Sequence, residues 1–232
     1  YMGNGEVMVL CSAEKPGVFA PVVAFSADGG DTWGPWTVVP EASGRPMMLT
    51  DLGGGKVTFH TSERFTSTDY GRTWTRSAVG YPSPEDRLEI EGNALVDRDA
   101  QGMATRIAAV GYKGSDIGKW PESFTGYVQW SGDGGLTWDA GLKPPNWTVE
   151  FEHRGEMITR GVSEGSLVRA RNGDLVAALR VDMPPRYYKH GAQSGVDFDD
   201  SLEGLGISTS SDDGKTWSPI NLLFEAGRHH PH

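Results

Sequence analysis

Glu164 and Arg180 are the residues whose types and spacing point most directly to chemistry. They bound the sequence EGSLVRARNGDLVAALR, which reads as two strands joined by a turn. A three-residue turn over 171–173, with Gly173 at the position of positive φ, places Glu164 directly across from Arg180. A two-residue Asn-Gly turn would move the two side chains to opposite faces, and we favour the first register. A facing Glu–Arg pair can orient a carboxylate ligand and a base together, or it can be a structural cross-strand ion pair.

Four copies of one eight-residue motif, S-x-D-x-G-x-T-W, indicate the scaffold that must position this pair. We call each copy an Asp box; the boxes occupy Ser26–Trp33, Ser67–Trp74, Ser131–Trp138 and Ser210–Trp217. The Asp can accept hydrogen bonds from backbone N–H groups two residues on, and the Ser adds a second local bond. The Gly allows positive φ, and the Thr and Trp re-enter a strand, where the Trp packs against a neighbouring layer. We therefore interpret the boxes as scaffold rather than as catalytic groups.

The spacing of the boxes predicts an all-β protein, a β-propeller of about four blades. The box tryptophans stand at 33, 74, 138 and 217, so successive boxes are 41, 64 and 79 residues apart. The shortest spacing fits one four-stranded blade, and the longer ones imply inserted loops near 113–123 and 183–201. The predicted blades, in a single domain, are approximately 1–40, 41–85, 86–148 and 149–228, with the start of a further blade at 229–232. We expect the chain to be part of a larger, six-bladed propeller, with four closed blades as the alternative.

Charged or titratable residues recur at the start of the predicted innermost strands. These strands begin at Arg45, Glu91 and Glu164, and His230 opens a further one. In a propeller the innermost strands line the axis, so their first residues lie at one mouth of the central funnel. Charged groups there are costly to leave unpaired, so the ring suggests a site for a polar ligand. The alternative is a solvated rim.

The amino-acid composition limits the classes of molecule that this protein can bind. The formal charge is −10, which argues against nucleic acid and anionic membrane surfaces, because both require clustered Lys and Arg. A small anionic ligand held by a few arginines remains compatible. Cys11 is the single cysteine, so no internal disulfide is possible and a cysteine-based zinc site is not expected. We expect neither a metal nor another cofactor.

The four Asp boxes together with the segment from Ser163 to Arg180 resemble the bacterial sialidases, also called neuraminidases. The resemblance implies a sialidase-type propeller and a retaining glycosidase that removes terminal sialic acid from sialoglycans, or acts on another acidic glycan. It implies that Glu164 polarises a tyrosine nucleophile and that Arg180 is one of three arginines that bind the substrate carboxylate. The tyrosine and the other two arginines would lie outside this chain.

One departure from the sialidase pattern concerns the acid/base aspartate. That residue comes in a D-P-S-like segment at the start of the second inner strand, where this chain has Arg45-Pro46-Met47. An arginine cannot be a general acid near neutral pH, since its pKa exceeds about 12. Either another carboxylate substitutes, with Glu91 the nearest candidate, or the protein is a non-catalytic Asp-box propeller that binds glycan or protein.

Overall fold

The computed structural model describes a chain built of β-strands. Its described residues are 2–15, 18–114, 124–153, 155–182 and 203–227. They contain no α-helix and a single 3-10 turn, Pro84–Asp86. The chain divides into two compact units, one formed by 1–84, 96–107 and 130–139, the other by 85–95, 108–129 and 140–232. We call them unit 1 and unit 2.

Unit 1 contains two antiparallel sheets in which neighbouring strands follow each other along the chain. The first sheet is formed by β1 (Val7–Lys15), β2 (Val18–Ser26) and β3 (Thr37–Val38), and the second by β4 (Met47–Gly53), β5 (Lys56–His60), β6 (Arg64–Ser67) and β7 (Thr75–Ser77). Residues of β4 alternate between buried and half-buried, the period-two pattern of a strand with one face on the core.

A third sheet has the order β10-β9-β8. Its strands are β8 (Leu95–Arg98), β9 (Ala104–Lys113) and β10 (Thr125–Ser131). The middle strand is buried from Ile107 to Tyr112, because a central strand is covered on both faces.

Unit 2 contains a hairpin and a four-stranded antiparallel sheet. The hairpin is formed by β11 (Val149–His153) and β12 (Glu156–Arg160), and the sheet by β13 (Val162–Arg169), β14 (Leu175–Asp182), β15 (Glu203–Ser210) and β16 (Asn221–Gly227). In β14 the alternation of buried and half-buried residues gives way to continuous burial over its last four positions. That end of the strand carries the candidate site.

The core of unit 1 is apolar and aromatic. Val23, Val39, Phe59 and Phe65 form one buried cluster. The rings of Phe59 and Phe65 are stacked with centroids 5.0 Å apart, and the Trp74 ring meets Phe59 edge-on at 4.9 Å. Such ring pairs stabilise a core by about 0.5–1.5 kcal/mol beyond the burial of apolar area.

All four Asp boxes adopt one hydrogen-bonded turn, which begins at the last residue of β2, β6, β10 or β15. In each box the serine hydroxyl donates to the aspartate at 2.6–2.8 Å and accepts the glycine N–H at 2.7–2.9 Å. The aspartate accepts the threonine N–H at 2.8–2.9 Å and the threonine hydroxyl at 2.5–2.7 Å. These donors lie four residues beyond the aspartate, not two as the sequence suggested. The fixed glycines have positive φ, as predicted.

The position before the fixed glycine also has positive φ, and two of the four boxes carry a glycine there, Gly29 and Gly134. The φ angles are 60° at Tyr70 and 62° at Asp213, where a side chain makes this conformation costly. The dense hydrogen bonding of the box holds it. Two consecutive left-handed residues explain how the chain reverses within the box.

Candidate functional site

The β13–β14 hairpin positions Glu164 and Arg180. The Ala170 N–H donates to the Asp174 carbonyl at 2.8 Å, and Gly173 has a φ of 93°, so the turn comprises three residues. Gly165 consequently pairs with Leu179, in the register that the three-residue turn predicts, but Glu164 itself is not backbone-paired with Arg180. A β-bulge between Val162 and Gly165 distorts β13 at Glu164. Bulges often re-aim side chains at functional positions.

Arg180 bridges three carboxylates inside unit 2. Its Nη1 donates to Glu164 Oε1 at 2.5 Å, its Nε lies 2.9 Å from Asp182 Oδ1, and its Nη2 donates to Glu203 Oε1. The side chains of Arg180 and Glu164 are only 6 % and 7 % exposed. Because water screens these charges little, their interactions are stronger than those of a surface pair. The predicted Glu–Arg pair therefore exists, within a larger buried cluster.

A second buried arginine completes the cluster. Arg160, at the end of β12, is almost fully buried and donates to the backbone carbonyls of Val181 and Asp182. The cluster thus contains two guanidinium groups and three carboxyl groups. Burial raises the pKa of Asp182 to about 6, although Arg180 lowers it. The Asp182 carboxyl group can therefore take up a proton near pH 6.

The sequence analysis identified two of these five charged residues and missed the other three. Asp182 follows Arg180 by two positions on β14, so strand periodicity alone places both on one face. Glu203 pairs with Asp182 across β14 and β15, a contact that depends on where the chain returns after the inserted segment. No sequence signal distinguishes Arg160 from a solvent-exposed arginine.

Glu91 belongs to unit 2, and the next residue, Gly92, lies against Gly165 of β13. The Tyr112 hydroxyl donates to Glu91 Oε1 at 2.7 Å. A Cβ atom added at Gly92 would lie 1.8 Å from the Gly165 carbonyl oxygen, so the two backbones touch where both residues are glycine. Glu91 and Glu164 are the residues immediately before these two glycines.

Tyr112 is buried at the end of β9 and was not predicted as a site residue. Its backbone exchanges two hydrogen bonds with Glu89, at 2.9 and 3.0 Å, and its ring meets Phe124 edge-on at 5.3 Å. Burial, followed by the carboxylates of Glu91 and Glu89, raises the pKa of Tyr112 far above its usual value. Its hydroxyl therefore stays protonated and acts as a hydrogen-bond donor.

The other two predicted residues are Arg45 and His230. Arg45 belongs to unit 1, is exposed, and stands over the Phe19 ring with 5.3 Å from its Cζ to the ring centroid. It precedes β4 by two residues, so the predicted start of that strand was early. His230 falls outside the described residues. In unit 2 the structure brings Glu164 and Arg180 into contact and places the backbone after Glu91 against that after Glu164.

Neither a metal centre nor a membrane-spanning helix is found in the part of the chain that the structure describes. No group of three or more His, Cys, Asp or Glu side chains there has an arrangement that could hold a metal ion. No described helix has the length and apolar character to cross a bilayer.

No protein-family model matches the sequence, and the comparison with curated proteins finds no match. Solved structures do match. A protein of unknown function from Dyadobacter fermentans superposes with a TM-score of 0.62 at 18 % identity, over 96 % of this chain and 67 % of that one. A PL25 ulvan lyase in complex with -[GlcA(1-4)Rha3S]- gives 0.53 at 11 % identity, over 95 % and 56 %. The NanB sialidase of Streptococcus pneumoniae gives 0.50 at 13 % identity, over 90 % and 29 %.

At these identities the similarity is one of fold. The chain is an all-β protein of the sialidase-type β-propeller class, which confirms the predicted fold class. It spans about two thirds of the Dyadobacter protein, about half of the lyase and less than a third of NanB.

Proposed function

We propose that this chain belongs to a sialidase-like glycoside hydrolase that removes terminal sialic acid, or a related acidic sugar, from a glycan. Glu164 assists a tyrosine nucleophile located outside this chain, and Arg180 binds the substrate carboxylate. The observation that carries the proposal is the buried Glu164–Arg180 contact of 2.5 Å at the bulged start of β13. The sialidase-type fold supports it.

The two residues have complementary roles in a retaining reaction. A tyrosine nucleophile places no negative charge against the substrate carboxylate, and Glu164 accepts its proton as it attacks the anomeric carbon. Arg180 offers the planar fork of donors that suits a carboxylate. Its three carboxylate neighbours fix the guanidinium before substrate arrives, so little side-chain entropy is lost on binding.

Further substrate contacts are proposed for Arg45, Glu91 and His230, on the sequence pattern that suggested them. The proposed partner is a sialoglycan or another acidic glycan. The acidic composition, with a formal charge of −10, supports a small ligand rather than nucleic acid or an anionic membrane.

The test uses the full-length protein and a fluorogenic aryl sialoside. We expect turnover by the unmodified protein and a loss of about 100-fold in kcat in Glu164→Gln, since this residue would no longer accept a proton. Arg180→Lys should raise KM, because lysine lacks the planar fork. Arg169→Lys is the matched control: this arginine lies on the same sheet in a partly exposed pair with Asp213, and the change should leave both constants alone. Absence of turnover of any sialoside or related acidic glycoside would overturn the proposal.

A second candidate is a non-catalytic propeller that binds glycan. One observation favours it: Arg45 stands where the sialidase pattern has an acid. Saturable binding of sialyllactose in calorimetry, without hydrolysis over a day, would support this candidate and exclude the first.

A further inference from the structure

Two identical dipeptides, Glu91-Gly92 and Glu164-Gly165, lie against each other in unit 2. A side chain at Gly92 would collide with the Gly165 carbonyl, since its Cβ would stand only 1.8 Å away. The glycines allow the two backbones to touch. The carboxylates that precede them therefore originate from adjacent points on two inner segments. Glycoside hydrolysis commonly uses two carboxyl groups, one of them to protonate the leaving group.

Tyr112 holds the Glu91 carboxylate from one side. Its hydroxyl donates to Oε1 at 2.7 Å. Two backbone hydrogen bonds to Glu89 and the edge-on contact with Phe124 fix the tyrosine. The bond therefore orients the Glu91 carboxyl group through Oε1.

The environment of Tyr112 makes it a donor and not a nucleophile. Burial and the two neighbouring carboxylates raise its pKa, whereas a nucleophilic tyrosine needs its pKa lowered. This agrees with a nucleophile outside this chain. Arg45 cannot supply the missing acid, since a guanidinium does not release its proton near neutral pH.

We propose that Glu91 is the general acid of the site and that Tyr112 is its positioning residue. This inference rests on the proposed function and names a proton donor for it. The bond between the anomeric carbon and the leaving oxygen breaks, and its electron pair stays on that oxygen, which takes the proton from the Glu91 carboxyl group. The tyrosine nucleophile bonds to the anomeric carbon at the same time. The Glu91 carboxylate then takes a proton from the water that hydrolyses the glycosyl–enzyme bond.

The dependence of rate on the leaving group tests this assignment in the full-length protein. Sialyllactose releases an alcohol, which needs protonation, whereas an aryl sialoside releases a phenolate that departs without help. Glu91→Gln keeps an acceptor for Tyr112 but has no proton to give. We expect kcat/KM to fall about 100-fold or more on sialyllactose and by less than about 10-fold on the aryl sialoside.

Tyr112→Phe keeps the ring that packs on Phe124 and removes only the hydroxyl. We expect a loss of about 10-fold on sialyllactose and little change on the aryl sialoside, since positioning is worth less than the proton itself. Tyr127→Phe, on β10 beside Lys113, is the matched control and should change neither rate. Circular dichroism checks that each variant is folded. If Tyr112→Phe does not fold, Glu91→Gln still tests whether Glu91 is the general acid.

The outcomes separate this inference from the proposed function. If the unmodified protein cleaves neither these sialosides nor any related acidic glycoside, the proposed function is overturned, and this inference is overturned with it. Suppose instead that the unmodified protein cleaves both substrates. If Glu91→Gln then lowers kcat/KM equally on both, or leaves both unchanged, only the assignment of Glu91 is overturned. If Glu91→Gln shows the leaving-group dependence but Tyr112→Phe does not, Glu91 stands as the acid and the positioning role of Tyr112 is overturned.

Discussion

The first and third Asp boxes have the same turn but differ in how deeply their tryptophans are buried. Both lie in unit 1, and both make the same four local hydrogen bonds between serine, aspartate, glycine and threonine. Yet Trp138 of the third box is 5 % exposed, whereas Trp33 of the first is 44 % exposed. The motif thus determines the turn by itself, and burial of its tryptophan depends on what packs against it.

A neighbouring sheet accounts for the burial of the third box. Arg64 on β6 reaches it, donating from Nε to the Gly135 carbonyl at 3.0 Å and placing its guanidinium 5.8 Å from the Trp138 ring. Gly80 adds two backbone hydrogen bonds, to Leu136 and Trp138. At the first box, a Cβ added to Gly29 would meet no atom of the described residues within 4 Å. Contact with another sheet, then, is what converts an Asp box into part of the core.

The largest difference in stability between the two boxes is expected when their tryptophans are replaced by alanine. Trp138→Ala should destabilise the protein by about 3–5 kcal/mol, because it leaves a cavity between Arg64 and the box. Trp33→Ala should cost about 1 kcal/mol or less, since the ring is half exposed. Urea unfolding followed by far-UV circular dichroism measures both. Equal losses would show that the box tryptophan acts only within its own turn.

A smaller difference in stability between the two boxes is expected when their fixed glycines are replaced by alanine. A Cβ at Gly135 would stand 1.4 Å from Arg64 Nη2, whereas one at Gly30 would have its nearest neighbour, the Trp33 ring, 3.7 Å away. Both positions have positive φ, so each alanine costs about 1 kcal/mol in backbone strain. Gly135→Ala must also displace a buried guanidinium, and its total cost should exceed that of Gly30→Ala by about 1–3 kcal/mol.

Pairing Gly135→Ala with Arg64→Ala in a double-mutant cycle isolates the contact. The extra cost of the alanine should largely disappear once Arg64 is truncated. If it persists, the strain lies in the backbone of the third box and not in its neighbour.

Local features of this protein could be predicted from its sequence, whereas features that depend on distant packing could not. The box turns follow from their own eight residues, and the Glu164–Arg180 register follows from the turn at Gly173. Arg64 stands three residues before its box serine, where the other repeats have an apolar residue, so its packing role could be suspected but its partners could not be named. The hydrogen bond from Tyr112 to Glu91 joins segments whose relative register is fixed only by the tertiary fold.

The smallest expected effect is on the pH dependence of stability, and it should be similar for the aspartates of the two boxes, Asp28 and Asp133. Hydrogen bonds from serine and threonine hold the pKa of Asp28 well below its ordinary value, and in the third box the bonds from Thr137 and Ser131 outweigh the opposing effect of burial and lower the pKa of Asp133. A carboxylate with a lowered pKa stabilises the folded state above its unfolded pKa, near 4, and loses this contribution as pH falls toward its folded pKa. Melting temperatures measured from pH 5 to pH 2 should therefore fall, and Asp28→Asn and Asp133→Asn should each flatten the decline by a similar amount. Since the bonds are the same in both boxes, a much larger effect of Asp133→Asn would mean that the neighbouring sheet also stabilises the turn and not only its tryptophan.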